Sequence, residues 1–136
     1  MEIHLASLEA MYHQWHQLAK QWHFFMLNGE LGAWKTTLAK WIAEQIGIDP
    51  LTVTSPTYTY VQTYNDILLH VDMRRIESAS YLHESWILDL IQAYPYVIIE
   101  WPKRTSLYAN SDRLTITIAK NESWRDITIE QWKDSL

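Results

Sequence analysis

The stretch His23-Phe24-Phe25-Met26-Leu27 is a short apolar run that leads without a break into Asn28-Gly29-Glu30-Leu31-Gly32-Ala33-Trp34-Lys35-Thr36. A segment of helical periodicity follows at once. Leu38, Trp41, Ile42 and Ile46 fall on one face, and Gly47 stands where a helix would end. A buried strand, a glycine-bearing turn and an amphipathic helix in immediate succession constrain the chain more than any other feature. The strand needs neighbours on both sides, and the helix must cover one face of the resulting sheet.

The turn has a chemical reading as well as a structural one. A phosphate-binding loop has the pattern G-x-x-x-x-G-K-[ST] between a strand and a helix. Gly29, Lys35 and Thr36 are in register with it. Backbone N–H groups of such a loop and of the helix N-terminus surround phosphate oxygens, and the helix dipole favours the negative charge. Lys35 would reach the β- and γ-phosphates of a nucleotide, and the Thr36 hydroxyl would face Mg²⁺. Position 34, however, is tryptophan where the pattern has glycine. Glycine serves there because the backbone passes close to phosphate and adopts conformations that a Cβ resists. The expectation is weakened nucleotide binding or a rearranged loop. The alternative is that Gly29 to Thr36 is an ordinary turn whose Trp34 packs on the core.

Elsewhere the chain alternates between strand and helix signals. Leu8, Met11, Tyr12, Trp15, Leu18, Ala19 and Trp22 recur at helical spacing, with Ser7 as an N-cap. After Pro50 the chain reads as extended from Thr52 to Tyr64, interrupted by Ser55-Pro56-Thr57. Ile67 to Asp72 is a strand ending in an acid, and so is Tyr96 to Glu100. Between them Ser78 or Ser80 caps a helix in which Leu82, Trp86 and Leu90 share a face, stopped by Pro95. Leu114, Ile116 and Ile118 alternate with Thr115 and Thr117, and Ile127 and Ile129 repeat the pattern after a polar turn, which predicts a hairpin. No repeat or linker divides the 136 residues, so the expectation is one domain over 1–136. Its predicted class is α/β, a three-layer sandwich with a mixed central sheet and a C-terminal β-hairpin.

Composition narrows the partners. The net charge of −5 argues against gripping nucleic acid alone through a broad basic surface, but suits a chain that docks on other proteins. The absence of cysteine excludes disulfides, thiolate catalysis and zinc–thiolate clusters. No apolar run approaches membrane-spanning length and no basic-then-apolar leader opens the chain, so a cytoplasmic protein without a membrane partner is the expectation. Eight Trp and eight Tyr point either to aromatic-heavy packing or to an exposed patch for a protein partner.

Asp72 and Glu100 end their strands where an α/β sheet places catalytic groups, beside the loop that follows another strand. Either acid can hold Mg²⁺ or orient an attacking water; a lone acid in such a place is as readily a cap or a surface ion pair. Ser55 and Thr57 set two hydroxyls on a constrained turn, as in a γ-phosphate-sensing switch or an ordinary turn. The chain thus reads Gly-Glu-Leu-Gly-Ala-Trp-Lys-Thr from Gly29, Ser-Pro-Thr-Tyr-Thr from Ser55, His-Val-Asp-Met-Arg-Arg from His70 and Glu-Trp-Pro from Glu100. In order and spacing these motifs resemble those of the small phosphate-loop ATPases that assist bacterial tRNA threonylcarbamoyladenosine synthesis. The resemblance spans essentially the whole chain.

It implies a nucleotide site for ATP or ADP built from Gly29, Leu31, Gly32, Ala33, Lys35, Thr36, Thr37, Ser55 and Thr57. It implies Mg²⁺ at Thr36, with Asp72 and Glu100 serving metal and hydrolytic water. It implies protein partners in the threonylcarbamoyl-transfer complex. His70 reads as a structural residue, a satisfied core or hydrogen-bonding histidine, the other option being a place beside Asp72 on one face of the strand. Trp101 reads as a core residue or a base-stacking one, and Arg75 as an ion-pairing residue or a phosphate contact. Two positions depart from the family pattern: Trp34 in the loop, and Arg74 where the family has an aromatic residue. Two further readings accompany the ATPase: a nucleotide-impaired, non-hydrolysing protein-binding module of the same fold, and a small kinase. The kinase leaves the Ser55 and Glu100 motifs unexplained.

Overall fold

Strands supply the frame, and their burial explains why. In the computed structural model, the described residues are 2–5, 12, 15–17, 20–29, 35–53, 61–73, 81–101, 112–120 and 125–133. Among the described residues, seven strands form one sheet: β1 (Glu2–Leu5), β2 (Phe24–Gly29), β3 (Val61–Tyr64), β4 (Leu68–Asp72), β5 (Tyr96–Glu100), β6 (Arg113–Lys120) and β7 (Arg125–Trp132). Their order across the sheet is β1-β7-β6-β2-β5-β4-β3. β2 runs parallel to both β5 and β6, and β4 parallel to β5. β3, β7 and β1 pair antiparallel at the flanks. The predicted mixed sheet and terminal hairpin are both present.

Two helices follow strands: α1 (Lys35–Gln45) and α2 (Tyr81–Ala93). The period-two alternation of the central strands divides the core into two layers. Phe25, Leu27, Leu68 and Ile98 pack with Leu38, Ala39, Ile42 and Ala43 of α1. Phe24, Met26, Leu69, Val71, Val97 and Ile99 face the other way, against Leu90 and Ile91 of α2. A sheet with a helix on each face is the three-layer arrangement expected. β6 and β7 send Leu114, Ile116, Ile118, Ile127 and Ile129 to the α1 side, while Thr117 on the opposite face is exposed.

Local chemistry sets the boundaries. α1 ends in a Schellman motif, with Ile48 N donating to Ala43 O (2.9 Å) and Gly47 N to Glu44 O (3.3 Å). Gly47 takes φ +85°, and a Cβ there would meet nothing within 4 Å, so a substitution would meet backbone strain alone. Gly47→Ala is therefore expected to cost about 1–2 kcal/mol, read by urea denaturation; an unchanged midpoint would show that the motif tolerates a Cβ.

Three features depart from the sequence reading. β1 was not expected, and β3 folds back onto β4 as a hairpin. Its turn places Asn65 and Asp66 at φ 53° and 55°, with Ile67 N donating to Tyr64 O at 3.0 Å. Trp86, expected on the apolar face of α2, is 51% exposed, and Ile91 is buried instead. The predicted first helix is described only at residues 12 and 15–17, which are helical. Leu31, Gly32, Ala33, Trp34, Ser55, Thr57, Arg74 and Arg75 lie outside the described residues. No helix among those described is long and apolar enough to cross a membrane.

Candidate functional site

The parallel strands β2, β5 and β4 end at the same edge of the sheet. Leu27 pairs with Glu100, and Glu100 with Asp72, so Gly29, Glu100 and Asp72 come together there. This is the carboxyl edge, where ligand sites of open α/β sheets form. α1 starts just beyond Gly29, which puts Lys35 at its first turn and Thr36 and Thr37, both half-buried, beside it.

Burial marks the place. Among the described residues, the buried polar or charged side chains are Lys35, His70, Asp72 and Glu100. All belong to this edge. Burying such groups is unfavourable unless they are partnered, so their concentration requires an account. Alternation along β4 and β5 turns His70, Asp72 and Glu100 to the face that α1 covers. There Glu100 Oε2 lies 2.6 Å from His70 Nε2, and Glu100 Oε1 lies 4.0 Å from Lys35 Nζ. A carboxylate only accepts, so the Nε2–H of His70 donates to it. The contact with Lys35 is too long for a hydrogen bond and acts as an attraction between charges.

Trp101 completes the group. Its φ of +53° is a conformation that a bulky side chain rarely adopts. Its amide still donates to Leu27 O at 2.9 Å, so the strand ladder holds up to this residue before the chain turns. Strict alternation would send the indole to the face opposite Glu100. Instead its ring lies 4.1 Å from Lys35 Nζ, and the ammonium sits between a carboxylate and an aromatic face. The expectation that Trp101 packs in the core gives way to a half-buried ring on the lysine.

The donor set fits a phosphate ligand with a hard divalent cation. Lys35 offers a cation to phosphate oxygens, and Thr36, Asp72 and Glu100 offer oxygen ligands of the kind Mg²⁺ takes. Among the described residues no cluster of three or more His, Asp or Glu stands ready to hold a metal alone. A cavity of about 380 Å³, lined by His16, Lys20, Glu44, Gln45, Ile46 and Tyr96, lies apart from these residues. Tyr96 opens β5 and Glu100 closes it, about 13 Å away at roughly 3.3 Å per residue.

Residues 4–127 match the family of threonylcarbamoyl adenosine biosynthesis protein TsaE. The chain belongs to the TsaE family. The tRNA threonylcarbamoyladenosine biosynthesis protein TsaE of Bacillus subtilis is 33% identical over 114 residues, covering 81% of this chain and 70% of that protein. TsaE of Streptomyces coelicolor is 33% identical over 98 residues, covering 68% of this chain and 66% of its own length. For TsaE of Haemophilus influenzae the figures are 37% over 81 residues, 57% and 51%. The matched part thus spans between about half and seven tenths of these TsaE relatives. In three dimensions the fold resembles the crystal structure of Bacillus subtilis YdiB, with a TM-score of 0.62 and 26% identity over 95% of this chain and 83% of that one.

Proposed function

We propose that this TsaE-family chain is an ATP-binding accessory protein of tRNA threonylcarbamoyladenosine modification, working with the protein partners that transfer the threonylcarbamoyl group. The observation that carries the reading is the gathering of the buried polar groups Lys35, Asp72 and Glu100 around the start of α1. Lys35 holds the β- and γ-phosphates of ATP or ADP, and the N–H groups of Gly29, Leu31, Gly32, Ala33 and Thr37 surround them. Ser55 and Thr57 respond to the γ-phosphate. Thr36, Asp72 and Glu100 are the residues that would hold Mg²⁺, which when bound neutralises charge on the phosphate oxygens. Asp72 and Glu100 also orient the attacking water and accept its proton at a carboxylate oxygen.

Titration calorimetry of Mg²⁺ with ADP or ATP tests the nucleotide part. Binding is expected in this chain and at least tenfold weaker in Lys35→Ala, since a charge-assisted contact contributes on the order of 1.5–3 kcal/mol. Equal affinity in the two proteins would move the nucleotide away from Lys35.

A second reading has its own observation, the Trp34 side chain at a loop position suited to glycine. In it the chain is a non-hydrolysing module with the same docking partners. Size-exclusion chromatography with the threonylcarbamoyl-transfer proteins separates the two. Association that needs MgATP supports the ATPase, and association indifferent to nucleotide supports the module.

A further inference from the structure

We infer that His70 is a positioning residue that sets the plane of the Glu100 carboxylate and which of its oxygens faces Lys35, a role that rests on the nucleotide reading above. β4 reads Leu68-Leu69-His70-Val71-Asp72, so an imidazole occupies a position where its neighbours are aliphatic. It is fully buried. Across the strand pair its direct partner is Ile98, and Glu100 stands one step along the same face, diagonal to it. That diagonal is within reach of a long side chain, and the 2.6 Å contact uses it.

The need for such a contact lies in the glutamate itself. The last torsion of a Glu side chain is broad and roughly two-fold, so packing alone does not choose the carboxylate plane. A donor on one oxygen does choose it. With Nε2–H on Oε2, the other oxygen is turned toward Lys35 Nζ, the side from which phosphate and cation would approach. The His70 Nδ1 atom is buried and has no hydrogen-bond partner among the described residues. Its ring is therefore held by packing on one side and by Glu100 on the other.

The test compares amides of different reach. In His70→Gln the amide nitrogen falls near the place of Nε2 and can still donate to Glu100. In His70→Asn it stops near the place of Nδ1 and cannot. ADP is titrated with and without Mg²⁺ into the native chain, and into Trp34→Gly chains carrying His70, His70→Gln or His70→Asn. The factor by which Mg²⁺ tightens ADP is expected to fall about 10- to 100-fold in His70→Asn, the range seen when the orienting partner of a metal ligand is removed. In His70→Gln most of that factor should return, with metal-free ADP affinity similar throughout. An unchanged factor in His70→Asn overturns the positioning role and leaves the nucleotide reading standing. Absence of ADP binding from all chains overturns both. Long-range ¹H–¹⁵N spectra of the nucleotide-free protein supply a readout that does not depend on the Asn variant folding. The Nε2–H tautomer, shifted in Glu100→Gln, is expected, and an Nδ1–H tautomer overturns the inference.

Discussion

Trp34→Gly is expected to tighten binding of ADP and ATP with Mg²⁺ by roughly 30- to 150-fold, from about 2–3 kcal/mol at 1.4 kcal/mol per factor of ten. The estimate has two parts. Between Gly29, which closes β2, and Lys35, which opens α1, only five residues turn the chain from strand to helix. In the nucleotide reading proposed above, a connection of that length would bring its last residue close to phosphate. A non-glycine residue held in a disfavoured backbone region costs on the order of 1–3 kcal/mol. The indole must also find room where glycine has no side chain. Calorimetry on the two chains measures the effect directly. Equal micromolar affinity in both would show that the loop accommodates tryptophan without strain, and the impaired-module reading would lose its support. Binding in the glycine variant alone would identify this chain as a nucleotide-impaired form of a competent fold.

How much of this was legible in the sequence depends on how local each signal is. The strand before Gly29 and the helix after it were readable because apolar run, turn and helical period follow each other within one segment. Gly47 announced the end of α1 because a left-handed C-terminal cap favours glycine, and its φ of +85° meets that demand. The strand-ending acids Asp72 and Glu100 were equally plain, since each closes an apolar run, but their burial was not readable from that pattern. β1 was not readable. Its four residues gain strand character only from pairing with β7, whose partners lie more than a hundred residues along the chain. The β3–β4 turn did carry a signal: Asn65 and Asp66 are residue types that tolerate positive φ, though less distinctive than Asn-Gly. Trp86 misled because helical spacing marks a shared face without saying whether the fold covers all of it. The His70–Glu100 contact was beyond the sequence for another reason. It joins residues thirty positions apart, and only the parallel register of β4 on β5 makes them diagonal neighbours.

Glu100→Gln is expected to produce the largest functional loss, a fall in ATP hydrolysis of about 10²- to 10⁴-fold, the usual contribution of a positioned general base. Phosphate release should be followed in the Trp34→Gly chain, where turnover is expected to be highest. The amide keeps the size of the carboxylate but not its charge or its second acceptor. Its oxygen can still receive the His70 Nε2–H, which forces the NH₂ group toward the place where Oε1 faces Lys35. An ammonium then meets a donor in place of an acceptor, in a site where Lys35 and Glu100 are both buried. Stability should accordingly fall by about 1–3 kcal/mol, the cost of an ill-paired buried polar group. Melting temperature and turnover thus move together in Glu100→Gln, and metal-free ADP affinity separates a damaged fold from lost chemistry. If that affinity holds within a few-fold while turnover collapses, Glu100 acts on the water or the cation. If turnover survives, Glu100 is a structural anchor for Lys35 and His70, and Asp72, its neighbour across the strand pair, becomes the acid that serves the reaction.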